Sequence, residues 1–121
     1  MKSHNRSLGA WGERLAATFL TERGFEVLGR NIYTPYGELD LVIRQADEVV
    51  FVEVKTRASD TFGWPETALT PRKRERLLKA ALYYLEQHPE FEGDWRIDVI
   101  AIRRLTGDTS PEVIWIEDVL A

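Results

Sequence analysis

Asp40, Glu53 and Lys55 are the residues of this sequence whose types and spacing most readily do chemistry. They lie in the stretch GELDLVIRQADEVVFVEVKTR, Gly37 to Arg57, which otherwise has the composition of two buried β-strands joined by a turn. Burying unpaired charge is costly, so charged residues in such a stretch are usually paired, metal-bound or functional. Asp40 and Glu53 stand 13 residues apart with one turn between them. Antiparallel pairing brings them opposite or diagonal to one another on one face. Two carboxylates held close repel each other unless a cation sits between them. Mg²⁺ or Mn²⁺ suits that role: each takes oxygen ligands, and Mg²⁺ is commonly held by one or two carboxylates plus waters and substrate phosphate. Lys55, two residues beyond Glu53, projects to the same face, where an ammonium can orient an attacking water or stabilise charge developing on a phosphate.

The elements that must position these groups can be read from periodicity. A first helix is expected from about Asn5 to Arg23, with Leu8, Trp11, Leu15 and Phe19 as its apolar stripe and Gly24 as its C-cap. Glu13 falls beside that stripe, near Gly9, Ala16 and Leu20, so it can reach the carboxylates as a further ligand, directly or through water. Gly9 and Ala16 would allow this side of the helix to approach a neighbour closely. Phe25 to Tyr33 reads as a first strand, followed by a TPYG turn. In the hairpin, Leu39, Leu41 and Ile43 are expected on one face and Glu38, Asp40 and Val42 on the other. Val50, Val52 and Val54 should share a face opposite Phe51, Glu53 and Lys55, with Gln45 to Glu48 as the turn. Apolar residues on both faces call for a sheet covered on both sides.

The loop ASDTFGWPETAL leads into a short helical piece. Thr70 and Pro71 then have the types that start a helix, which runs to about Gln87 with Leu77, Leu78, Ala81, Leu82 and Leu85 inward. Trp95 to Arg104 is an alternating strand, and EVIWIEDVL contains a shorter one. Helix, three strands, helix and two strands make an α/β sandwich with a central mixed sheet of about five strands. The whole chain, residues 1–121, is expected to be one domain.

Other charged and aromatic residues have structural readings beside functional ones. Arg72 to Lys79 is a basic run, ordinarily a solvated helix face, and Glu75 and Lys79 have the spacing of an i,i+4 pair. Lys73 differs because its phase turns it towards the sheet, where it can meet substrate. Arg72 is a second substrate-side cation. Glu38 can simply end the turn and pair with Arg57, and Arg57 can serve as a surface ion-pair partner or a phosphate contact. Arg96 and Asp98 share a strand face as a structural ion pair. Trp11 belongs with the core. Trp64 can stack an unpaired base or pack over the sheet edge, and the loop from Ala58 to Pro65 is where substrate specificity is expected.

Hydrophobic content of 44% and charged content of 30% are those of an ordinary globular protein. With no cysteine there is neither a disulfide framework nor thiolate chemistry. No apolar run is long enough to span a membrane, and the N-terminal residues lack the pattern of a signal peptide, so a cytoplasmic protein is expected. A net charge of −4 counts against binding nucleic acid through bulk positive charge. It does not count against a nuclease, whose acidic ligands lower the net charge while a local basic face meets phosphates. No glycine-rich nucleotide-binding loop is present.

The D…E-x-K spacing of Asp40, Glu53 and Lys55 resembles the PD-(D/E)xK nuclease superfamily. The fuller pattern, LGAWGERLAATFLTERGFEVLGRN, then GELDLV, VFVEVKTR, a lysine-bearing amphipathic helix and RIDVIAI, resembles the YraN-like bacterial proteins, which are similar to archaeal Holliday-junction resolvases. This resemblance covers Leu8 to Ile102. It implies a restriction-endonuclease-like α/β/α fold with Glu13, Asp40, Glu53 and Lys55 in the active-site positions. It further implies divalent metal bound by Asp40 and Glu53, the backbone carbonyl of Val54 as an added ligand, and Lys55 assisting catalysis. Leu39 stands where the superfamily's name places proline.

The function expected on these grounds is metal-dependent hydrolysis of phosphodiesters in DNA, with structured or branched DNA as the substrate. Cutting both strands symmetrically would require a homodimer. Two rivals remain open: a nucleic-acid-binding module with this fold and little cleavage, and an interaction protein whose carboxylates form a structural network with Lys55 and Arg57.

Overall fold

Strand and helix boundaries fall close to where hydrophobic periodicity places them. The computed structural model describes residues 2–58, 69–104 and 110–120, with side chains from Leu8 onwards. The elements are α1 (Lys2–Thr21), β1 (Glu26–Thr34), β2 (Gly37–Gln45), β3 (Glu48–Arg57), α2 (Pro71–Gln87), β4 (Trp95–Arg103) and β5 (Glu112–Ile116). The strands form one mixed sheet in the order β1-β2-β3-β4-β5. Neighbours are antiparallel except β3 and β4, whose parallel pairing needs the long connection that contains α2. No helix among the described residues is long and apolar enough to cross a membrane.

The sheet is covered on both faces, as its two-sided apolar strands require. On one face Ala16, Ala17 and Leu20 of α1 pack on Leu41, Ile43, Val50, Val52, Val54, Ile100 and Ile102. On the other, Leu77, Ala80, Ala81 and Tyr84 of α2 pack on Leu39, Val42, Val49, Phe51 and Ile97. Glu53 and Lys55 alternate with Val52 and Val54, so they lie on the α2 side with Phe51.

Local sequence explains the helix ends. Gly24 has φ +93°, its N–H bonds to Thr21 O, and the Phe25 N–H reaches back to Leu20 O. With Phe25 and Leu20 in the same apolar cluster, this is a Schellman ending. At the start of α2, Thr70 Oγ1 accepts the Lys73 N–H at 3.2 Å, and Pro71 occupies the first turn.

Three details of packing differ from the expectation. The deepest face of α1 is Gly12, Ala16, Ala17 and Leu20, with Leu8, Trp11, Leu15 and Phe19 only partly buried. Small residues win the central position because the helix lies close to β3. A Cβ on Gly12 would stand 2.0 Å from Thr56 Oγ1, whereas one on Gly9 would meet nothing within 4 Å. In α2 the inward face centres on Leu77, Ala80, Ala81 and Tyr84, and Leu82 is 48% exposed. In β2, Leu39 joins Val42 on the α2 side while Leu41 and Ile43 face α1. The alternation breaks across Asp40, where β2 parts from β3. The short helical piece expected before Thr70, Trp64 and most of the loop from Ala58 to Pro65 lie outside the described residues.

Asp98 is fully buried on β4 and accepts from Arg96 Nε (3.0 Å), Arg96 Nη2 (3.2 Å), Trp115 Nε1 (2.9 Å) and the Asp118 N–H (2.9 Å). Four donors satisfy the carboxylate, which is how a buried charge is tolerated. This is the structural pair that the shared strand face suggested.

Candidate active site

The site forms where the central hairpin comes apart. β2 and β3 pair from Gln45–Glu48 up to Leu41–Val52. One further step would set Asp40 opposite Glu53, but the backbone ladder stops. In its place Asp40 Oδ2 accepts the Val54 N–H at 2.8 Å, so the carboxylate takes over a bond that a strand backbone would have made. A residue's N–H and C=O point to the same edge of an extended strand. The Val54 carbonyl therefore opens on the same gap.

β1 shapes the other side. It pairs with β2 on both sides of Asp40, at Arg30–Leu41 and Ile32–Leu39, which leaves Asn31 across from Asp40. Asn31 has φ +48°, a left-handed conformation that asparagine adopts more readily than most residues. Its Nδ2 donates to Glu13 Oε1 at 3.0 Å. Glu13 is carried in by α1 one residue past the Gly12–Thr56 approach, and Asn31 fixes its carboxylate.

α2 closes the site with cations. Glu53 is only 5% exposed. Its Oε2 lies 3.3 Å from Lys55 Nζ and 3.8 Å from Arg76 Nη2. Arg76 reaches this point by passing over Gly37, where a Cβ would come within 2.7 Å of Arg76 Nη1. The positive φ of Gly37, +136°, also suits glycine.

Charge is unevenly shared. Burial, followed by the neighbouring Glu53 carboxylate, pushes the Asp40 carboxyl up to about 7. Glu13 and Glu38 add to this, and the Val54 N–H works against it. Among the cations, the Lys55 ammonium holds Lys73 below the usual lysine range; burial acts in the same direction and Glu53 opposes. Two ammonium groups facing each other beside the buried Glu53 and half-buried Asp40 carboxylates form a surface that would gain from an added anion, while Asp40 would gain from an added cation.

The structure thus brings Asp40, Glu53, Lys55 and Lys73 together, opens the Val54 carbonyl on the same gap, and holds Glu13 close enough to act on Asp40. Arg57, at the end of β3, and Arg72, in the first turn of α2, are exposed. Asn31 and Arg76 were missed. Arg76 follows Lys73 by three residues, the spacing of one helix face. Asn31 carries only the general tolerance of asparagine for positive φ. Among the described residues no three Asp, Glu, His or Cys side chains come together as a cage for a metal ion. The donor set is instead two carboxylates with a backbone carbonyl, which fits a cation that keeps water and takes phosphate oxygens as further ligands.

A family model described as "Uncharacterised protein family UPF0102" matches residues 12–102, a span that contains every charged residue of this site. A UPF0102 protein of Syntrophomonas wolfei is 54% identical over 98 residues, 81% of this chain and 85% of that protein. One from Desulfitobacterium hafniense is 37% identical over 121 residues, 98% of this chain and 100% of its own length. One from Geobacter metallireducens is 43% identical over 102 residues, 84% of each chain.

Proposed function

We propose that this chain, which belongs to the uncharacterised protein family UPF0102, is a divalent-metal-dependent endonuclease that hydrolyses phosphodiesters in DNA. The observation that carries this reading is the gap between β2 and β3. There Asp40, made weakly acidic by burial and by Glu53, stands with Glu53 and the Val54 carbonyl opposite a lysine pair. The resemblance of Asp40, Glu53 and Lys55 to the PD-(D/E)xK pattern, and of the longer pattern to YraN-like proteins, themselves similar to junction resolvases, supports the same reading.

Asp40, Glu53 and the Val54 carbonyl would hold Mg²⁺ or Mn²⁺. When bound, such a cation supplies Lewis acidity and lowers the pKa of coordinated water. Lys55 neutralises charge that develops on the phosphate during attack. Lys73, which the Lys55 ammonium holds below the usual lysine range, is relieved of that repulsion when a phosphate enters between them. Glu13, fixed by Asn31, keeps the potential at Asp40 negative and so favours the cation.

The double pairing of Glu53 with Lys55 and Arg76 favours a second reading, a purely structural ion-pair network. Cleavage of a four-way junction, a flap and a plain duplex with Mn²⁺ separates the two. The nuclease reading expects at least one substrate to be cut and Lys55→Ala to slow cutting by about 100-fold or more, with the protein still folded. If a folded wild-type protein cuts none of the three, the structural network is the better account.

A further inference from the structure

We propose that Tyr36 and Tyr83 form a stacking subsite for an unpaired nucleobase beside the scissile phosphate, so that the substrate is a strand with unpaired nucleotides at the cut. This inference rests on the nuclease reading above and specifies its substrate.

The subsite is a groove of about 490 Å³ lined by Tyr36, Lys79, Leu82, Tyr83, Leu85 and Glu86. Tyr36 and Tyr83 meet edge to face, with ring centroids 6.3 Å apart. Tyr36 and Leu82 are each 48% exposed. Both line this one groove, so the exposed apolar surface is gathered in one place and not scattered.

What the groove holds is indicated by its neighbours. Tyr36 precedes Gly37, over which Arg76 passes on its way to Glu53. Tyr83 follows Arg76 by two turns of α2, about 10 Å by helical rise. Lys73, Arg76 and Lys79 recur every three residues and so run as a cationic row from the candidate active site to the rim of the groove, where Lys79 also pairs with Glu75 at 3.6 Å. A row of cations ending in an aromatic groove matches a polyanion that carries flat apolar groups: phosphates follow the row and a base enters the groove. The Glu86 carboxylate at the rim offers an acceptor for the exocyclic amine of a base. A base inside a duplex is already stacked on its neighbours and cannot enter. An unpaired one can.

Fluorescence anisotropy of a labelled single-stranded oligonucleotide and of a blunt duplex of equal length, without divalent metal, tests this directly. The wild type is expected to bind the single strand more tightly. Tyr36→Ala and Tyr83→Ala are expected to weaken single-strand binding at least about fivefold and to leave duplex binding unchanged. Tyr36→Phe and Tyr83→Phe, which keep the ring, are expected to bind like wild type. An oligonucleotide carrying 5-iodouracil should photocrosslink to one of the two tyrosines. The inference is overturned if the alanine variants, shown folded by thermal melting, bind the single strand as well as wild type. It is also overturned if the wild type shows no preference for it, or if sedimentation shows a dimer that Tyr36→Ala dissociates, since a second copy would then cover the groove. Metal-dependent cleavage is measured separately. Cutting with unchanged single-strand binding in the variants would leave the nuclease reading and remove the subsite. Tyrosine-dependent binding without cutting would do the reverse.

Discussion

At the scale of single residues, Asp40 is a carboxyl group that folding makes weakly acidic. Its ordinary value is 3.8, and burial and Glu53 raise it to about 7. Between those values the folded chain keeps a proton that the unfolded chain has lost. The group therefore favours folding fully below about pH 4, and this contribution is lost as pH rises to about 7. Asp40→Asn keeps an oxygen for the Val54 N–H and removes the charge. It is expected to stabilise the protein by roughly 2–4 kcal/mol at pH 8 and to have little effect at pH 4, as read by urea denaturation at the two pH values. The placement of Glu53, Lys55 and Lys73 was legible in the sequence because period two and helical phase say where a side chain points; Asp40 stood out by its type and spacing alone, since the alternation breaks across it. Asn31 was not, since its role depends on a positive φ and on a partner, Glu13, brought from another element. Nor was Arg76, whose place in a basic run made it read as part of a solvated face.

Among the elements, α1 and α2 decide what the gap in the sheet can become. α1 delivers Glu13 because Gly12 lets it settle onto Thr56 of β3. Gly12→Ala is expected to lower stability by about 1–3 kcal/mol through overpacking, despite the better helix propensity of alanine. Thr56→Ala should recover part of that loss in the double variant, and the coupling can be measured by a thermal or denaturant cycle. The helix was legible from its apolar period, but its docking face was not. The stripe of large residues, Leu8, Trp11, Leu15 and Phe19, points beside the closest contact, while small residues occupy it. The same physics misplaced Leu82 of α2, because leucine's hydrophobicity does not distinguish a buried flank from an exposed one. The strand order was open to inference only as far as the class of fold. The parting of β2 from β3 at Asp40 is a matter of register that no local pattern shows.

Across the whole molecule, the charge distribution matters more than the total. The net charge is −4, yet Lys73 and Arg76 stand next to the carboxylates and Lys79 follows on α2 at the groove. Binding carried by so few phosphate contacts should depend only moderately on salt. A log–log slope of about −2 to −4 is expected for single-stranded DNA, reduced by roughly 1 when Arg76 or Lys79 is replaced by alanine. A steeper slope, or none, would point away from this row of cations. The composition alone bounded this protein to a modest electrostatic footprint, and only the fold shows which cations stand together.

The most direct test of the central claim is calorimetric titration of Mn²⁺ into the wild type, Asp40→Ala and Glu53→Ala at neutral pH, with and without a DNA oligonucleotide. The account predicts that the wild type binds the cation, more tightly when DNA is present, and that either substitution abolishes binding in a protein that still folds. A wild type that binds no Mn²⁺ even with DNA, or variants that bind it as well as the wild type does, would contradict the account and leave Asp40, Glu53 and Lys55 as structural charges.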